Sequence, residues 1–203
     1  MKFTEFPKMP RLSREIVITE KIDGTNASIF IQNFDLENPS DFENIIAVKE
    51  GFSIRAGSRT RWITPQDDNY GFASWVKQNS DELFKLGEGH HFGEWWGSGI
   101  QIGYGLPKGE KRFSLFNTSR WVKENPSEKQ EIVPSIVNIV PELYRGSFNT
   151  THIDFVLKSL ELEGSKAAPG FMKPEGIIVY HLAGNVGFKK TIEKDEIPKS
   201  LIK

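Results

Sequence analysis

The chain has 203 residues, 26% of them charged and 37% hydrophobic, with no cysteine and a formal net charge of −1. This length can bury a core. The composition excludes disulfides, thiolate metal sites and a uniformly basic surface for polyanions. No apolar run approaches the ~20 residues that span a bilayer, and the N-terminal MKFTEFPKMPRL lacks the apolar centre of a secretory signal.

In chain order, EIVITE (15–20) and NASIFIQ (26–32) are rich in β-branched and aromatic residues and read as strands. NPSDFEN reads as a loop, then IIAVKE (45–50) and FSIRAG (52–57) as strands about Gly51. From 70 to 86 the period changes: Phe72, Trp75, Val76, Asn79, Leu83 and Leu86 step by three and four, as on one helix face. HHFGEWWG (90–97) and KRFSLFNT (111–118) return to strand character across a glycine-rich connector. IVNIVPELYRG holds a short strand. TTHIDFVLKSLELEG reads as a helix with Thr151 and Asp154 as its capping box and Gly164 as its stop. EGIIVYHL and NVGFKKTI form an antiparallel hairpin about Ala183-Gly184. Many strands and few helices predict an α+β fold of mainly antiparallel sheets. No linker divides it, so a single domain over 1–203 is expected.

The stretch TEKIDGTNASIF (19–30) places Glu20 and Lys21 at a strand end, followed by Asp23, Gly24 and Asn26. A plain hairpin turn explains Asp-Gly; a nucleophilic lysine explains the whole stretch. SIRAGSRTR carries Arg55, Arg59 and Arg61, with the last two on one face if the strand continues; guanidinium forks suit phosphate, and a solvated edge is the simpler use. HFGEWWG places Glu94 among aromatics, where a buried carboxylate needs partners. RFSLFNT offers Phe116 as core or as a base-stacking ring. PEGIIVYH and GFKKT bring Glu175 and the pair Lys189-Lys190 to one end of a hairpin, as a cross-strand ion pair also would. With five tryptophans and fifteen phenylalanines, core packing is the ordinary use of any one ring, and some remain for stacking. The vicinal His90 and His91 face opposite ways on a strand and cannot easily share one ion.

Taken in order, these pieces resemble the covalent nucleotidyltransferases, the superfamily of polynucleotide ligases and mRNA capping enzymes. EKIDGTN is most similar to the nucleophile motif of small ATP-dependent RNA ligases, and the resemblance runs from about Glu20 to Thr191. It implies a nucleotidyltransferase domain, ATP-grasp-like in its adenylation fold; the few residues after Thr191 leave no room for the C-terminal OB-fold that DNA ligases and capping enzymes carry, so none is expected. It implies that Lys21 attacks the α-phosphate of ATP to form lysyl–AMP. Glu20, Asp23, Gly24 and Asn26 would hold the nucleotide or shape the loop. Arg55 would contact the ribose or the nucleic-acid end, and Glu94 a ribose hydroxyl. Phe116 would stack on adenine, Glu175 would hold Mg²⁺ (or Mn²⁺), and Lys189 and Lys190 would touch the α-phosphate. An amine attacks only when neutral, a state that neighbouring cations favour; the same cations stabilise charge on the phosphate in flight. Arg59 and Arg61, with Lys108, Lys111 and Arg112 behind them, are candidates for contact with RNA.

Two departures stand out. Asn117 occupies a place where ligases often carry Asp. The final motif usually reads Lys-x-Lys, whereas here the lysines are adjacent; either Thr191 takes the second place or a bulge turns Lys190 inward. The expected partners are ATP and RNA with nicked or broken ends, for an RNA-repair ligase acting as a monomer away from membranes, in the cytoplasm, including that of a host if the chain is phage-encoded. DNA-end joining, GMP transfer in capping and non-catalytic nucleic-acid binding stay open at this point.

Overall fold

The structure is a computed structural model describing residues 3–35, 37, 42–121, 133–193 and 195–196. The chain forms two compact units, one from 1–22 with 141–203 and the other from 23–140.

The unit built from both chain ends holds a four-stranded antiparallel sheet. Its strands are β1 (Glu15–Lys21), β9 (Glu142–Ser147), β10 (Gly176–His181) and β11 (Val186–Thr191), in the order β11-β10-β1-β9. Strand alternation sends Ile16, Ile18, Ile177 and Val179 to one face, where helix α4 (Thr150–Glu163) covers them with Val156 and Leu160. Burying each such side chain contributes about 1.5–3 kcal/mol. The N-cap of α4 is Asn149, whose side chain accepts the Thr151 N–H at 2.8 Å, two residues earlier than the Thr151 capping box read from sequence. Gly164, at φ 81°, ends the helix as expected.

The second unit holds a larger sheet. Strands β2 (Thr25–Asn33), β3 (Ala47–Lys49), β4 (Phe52–Ser58), β6 (Gly89–Gly97), β7 (Lys111–Leu115) and β8 (Asn138–Ile139) run in the order β3-β4-β2-β6-β7-β8, and β5 (Trp62–Ile63) pairs with β4. All these pairs are antiparallel except β7–β8. One face is the core: Ala27, Ile29, Ile31, Ile54, Ala56, Trp95, Phe113 and Leu115 pack with Phe72 and Val76. The last two come from α1 (Phe72–Gln78), which is followed by α2 (Ser80–Leu83) and a 3₁₀ turn over Phe84–Leu86. The predicted single helix over 70–86 is therefore broken at Asn79, whose side-chain amide donates to the Trp75 carbonyl at 2.8 Å and competes with helix continuation. Asp68 anchors the start of α1: its carboxylate accepts the N–H groups of Ala73 (2.8 Å) and Ser74 (3.0 Å) and the Ser74 hydroxyl (2.7 Å).

β7 ends at Leu115, earlier than expected, and α3 (Thr118–Trp121) begins three residues on, with Asn117 Oδ1 accepting the Arg120 N–H at 3.2 Å. The residue at which the chain departs from the usual Asp is thus a helix-capping residue. The loop read over NPSDFEN lies partly outside the described residues.

Candidate active site

Lys21 is the last residue of β1, and register fixes its company. It pairs with Gly176 of β10, which in turn pairs with Thr191 of β11; Thr19, Ile178 and Lys189 form the next row. Paired residues in a sheet share a face, so Lys21, Lys189 and Thr191 project from the face opposite α4. Gly176 leaves a gap between Lys21 and Thr191, and it must be glycine: a Cβ there would collide with the Lys190 carbonyl. Glu175, one residue before β10, forms an ion pair with Lys21, each side chain largely withdrawn from solvent. The nucleophile candidate and the metal-ligand candidate, 154 residues apart in sequence, are in direct contact.

Lys190 stands elsewhere. It pairs with Ile177 and therefore lies on the α4 face, where its Nζ is 2.9 Å from Asp154 Oδ1. The β10–β11 register runs without interruption from Gly176–Thr191 to His181–Val186, so no bulge turns Lys190 toward Lys21. The register therefore puts Thr191, and not Lys190, on the face of Lys21.

Glu20 also points to the α4 face. It is 1% exposed and accepts from Ser165 Oγ (2.6 Å), Lys166 N (2.8 Å) and Ala167 N (2.9 Å). It orients a loop, the one that follows α4, rather than sharing the face of Lys21. A buried carboxylate with three donors is well satisfied, and it ties the end of β1 to the segment that leads to Glu175.

In the second unit, Glu94 of β6 is opposite Asn26 of β2. Its carboxylate accepts the Gly24 N–H at 3.1 Å and the Asn26 side-chain amide at 3.2 Å. Gly24 is pressed against β6, where an added Cβ would lie 2.5 Å from the Trp95 carbonyl oxygen. The Asp23 N–H donates to the hydroxyl of Tyr104 at 2.9 Å. Sequence reading missed Tyr104; the only signal was a large ring inside the glycine-rich connector, where it is buried and takes a positive φ of 51°. Phe116 continues β7, donating its N–H to the Phe92 carbonyl at 3.0 Å, and is exposed on the side of the sheet that carries Asn26 and Glu94.

Arg55 lies on that same side but is buried, with Nε donating to the Glu43 carbonyl (2.9 Å) and Nη1 to Ser53 Oγ (3.0 Å). Arg59 and Arg61 are not on a strand. They occupy the exposed turn between β4 and β5, closed by Ser58 N–H to Arg61 carbonyl at 2.8 Å, so they do not alternate to one face as expected. Arg61 is held by Asp67 at 2.5 and 3.0 Å. Arg112 pairs with Glu110, and Lys111 donates to the Tyr70 carbonyl at 2.7 Å. Lys108 is exposed. His90 and His91 face opposite ways, and His91 bonds the Gly87 carbonyl at 2.9 Å. Among the described residues no three His, Cys, Asp or Glu side chains gather as a metal cage.

The sequence model of the RNA ligase family matches residues 14–194. The chain belongs to the RNA ligase family. The chain also shares its fold with solved Naegleria gruberi RNA ligases. A mutant solved with ATP and Mn is 18% identical, with a TM-score of 0.55 over 90% of this chain and 51% of that one. Another, solved with AMP and Mn, is 19% identical, with a TM-score of 0.54 over 89% and 50%. The apo R4a mutant is 19% identical, with a TM-score of 0.53 over 88% and 50%. The chain thus spans about half the length of these relatives. No curated protein sequence matches it.

Proposed function

We propose that this chain is an ATP-dependent RNA ligase working through a covalent lysyl–AMP intermediate. The observation that carries this reading is the Lys21–Glu175 contact on a strand face shared with Lys189. Lys21 Nζ attacks the α-phosphorus of ATP. An N–P bond forms, the bond to the bridging oxygen breaks, pyrophosphate leaves and the amine releases its proton. A 5′-phosphate oxygen of RNA then attacks the adenylyl phosphorus and breaks the N–P bond. Finally a 3′-hydroxyl attacks that 5′-phosphorus and expels AMP.

The residues divide the work. Lys189 supplies positive charge on the Lys21 face to the transferring phosphate, and Thr191 adds a hydroxyl there. Glu94 and Asn26 present polar groups for the ribose, and Phe116 a ring for adenine. Arg55 braces the same sheet. Its guanidinium is already engaged by Glu43 and Ser53, so we give it a positioning role.

The donor set fits Mg²⁺ or Mn²⁺. Glu175 offers a carboxylate beside the nucleophile, and Mg²⁺ is commonly held by one or two carboxylates together with substrate phosphates. Bound there, the cation would neutralise phosphate oxygens. Engagement of Glu175 by a cation would also release its ion pair with Lys21, leaving the amine to lose its proton. Substrates would be nicked or broken RNA ends; the cysteine-free composition suits work in the reducing cytoplasm. The test is Lys21→Ala: incubation with ATP and Mg²⁺ should give an AMP adduct on the wild-type chain and none on the variant. Adduct on the variant would remove Lys21 from the role.

A further inference from the structure

The sheet of residues 23–140 has a second face, opposite its core, and that face carries a row of rings that the reaction above does not use. Register places Phe30 of β2, His90 and Phe92 of β6, and Trp62 of β5 on it. The rings are ordered. His90 and Phe92 stack at 4.0 Å between centroids and 30° between planes, Trp62 and His90 at 5.8 Å and 25°, and Phe30 packs 5.3 Å from His90. Gly57 pairs with Trp62, whose indole lies over the glycine about 3.4 Å from where a Cβ would stand, while Ser28 Oγ, at 2.6 Å, excludes that Cβ. Trp62 is 38% exposed and Phe92 55%. Core packing does not account for rings on the face away from the core, left open to solvent.

We propose that Phe92, His90 and Trp62 form a stacking platform for successive unpaired bases of an RNA strand. Three observations favour RNA over a protein partner. The row continues from Phe92 to its neighbour Phe116, the ring assigned to adenine, so it leads away from the nucleotide position along one sheet. Arg59, exposed on the turn that delivers Trp62, adds a cationic residue beside the far end of the row, a charge suited to phosphate. The centre of the row is an imidazole, a flat polar ring stacked between Phe92 and Trp62 rather than an aliphatic anchor, and desolvation lowers its pKa. Sheet-borne aromatic rings that stack two or three bases are a recurrent solution for single-stranded RNA. Each stacked base contributes about fivefold to a hundredfold or more in affinity, the fold-change equivalent of about 1–3 kcal/mol.

This inference deepens the ligase reading by locating its RNA, and the test separates the two. Binding of a fluorescent, 5′-phosphorylated ten-nucleotide single-stranded RNA is measured by anisotropy for the wild type, Trp62→Ala, Phe92→Ala and Trp62→Phe. The same strand in a full duplex and an abasic strand of equal length are run beside it. Adduct formation with ATP and Mg²⁺ and thermal unfolding are measured on every variant. The expected result is about tenfold weaker single-strand binding for each alanine variant, near-wild-type binding for Trp62→Phe, weaker binding of the abasic and duplex RNAs by wild type, and unchanged adduct yield. Folded alanine variants that bind like wild type, equal binding of the abasic strand, or no wild-type binding would overturn the platform. So would concentration-dependent self-association abolished by Trp62→Ala, which would assign the face to a second copy. Wild-type chain that forms no adduct, yet binds single strands through Trp62 and Phe92, would sink the ligase reading and leave the platform standing.

Discussion

At the residue scale, one-residue parity decides who takes part. Lys189 and Lys190 are neighbours in sequence and strangers in space, because successive residues of a strand face opposite ways. Lys189→Ala should slow AMP-adduct formation by about tenfold to a thousandfold, the range for loss of a preorganised charge on a developing anion. Lys190→Ala should leave the rate within about threefold; its pair with Asp154 is exposed, and such pairs contribute about 0–1 kcal/mol. Single-turnover adduct formation followed by intact mass checks both, and equal damage from the two would refute the assigned faces. Gly24 is constrained by a neighbour rather than by its own dihedrals. Gly24→Ala drives a methyl group into the Trp95 carbonyl, so either β2 or β6 must shift. A loss of about 1–3 kcal/mol in chemical denaturation is expected, with slowed adduct formation because the shift falls three residues from Lys21.

At the element scale, the strands and the α4 helix were legible because their periodicities are strong: Ile16, Ile18, Ile177 and Val179 alternate, and Val156 and Leu160 step by four. Boundaries set by side-chain hydrogen bonds were less so. Asn149 caps α4, Asn79 interrupts the helix after α1, and Asp68 holds the start of α1 from three residues before Gly71, all through local polar contacts that no hydrophobic pattern reports. The strand does not continue to Arg59 and Arg61 for the same reason: the Ser58 N–H to Arg61 carbonyl bond and the Arg61–Asp67 pair close a turn there. Asp68→Ala should cost about 0.5–2 kcal/mol, as for loss of a helix cap. Burial by itself would raise the Asp68 pKa, but the bonds from Ser74, Ala73 and Asn69 outweigh it and hold the carboxyl below its ordinary value of 3.8. The unfolded chain therefore binds the proton first. The stabilisation is complete above about pH 4 and is lost as pH falls through the depressed folded value. Denaturation midpoints of wild type and Asp68→Ala should converge in strong acid and diverge at neutral pH; a constant gap would contradict this.

At the scale of the whole molecule, the sequence displayed the order of the motifs but not their partition. One compact unit is assembled from both ends of the chain, and nothing in composition marks the passages at 22–23 and 140–141. The Lys21–Glu175 contact was foreseeable as roles and not as distance, because strand pairing between β1 and β10 closes 154 residues of chain. Loss of Glu175 separates two uses of that contact. Glu175→Gln should retain a hydrogen-bonding partner for Lys21 while weakening the response to Mg²⁺, so the cation concentration giving half-maximal adduct formation should rise about tenfold or more, as for loss of a metal-orienting group. An unchanged Mg²⁺ titration would take Glu175 out of the metal site. The central claim is that one amine on this chain becomes bonded to phosphorus. The most direct measurement is tandem mass spectrometry of the full chain after incubation with ATP and Mg²⁺ or Mn²⁺. A single adenylyl group on the Lys21 nitrogen is the predicted result; a chain that carries no nucleotide, or carries it on a different residue, would contradict it.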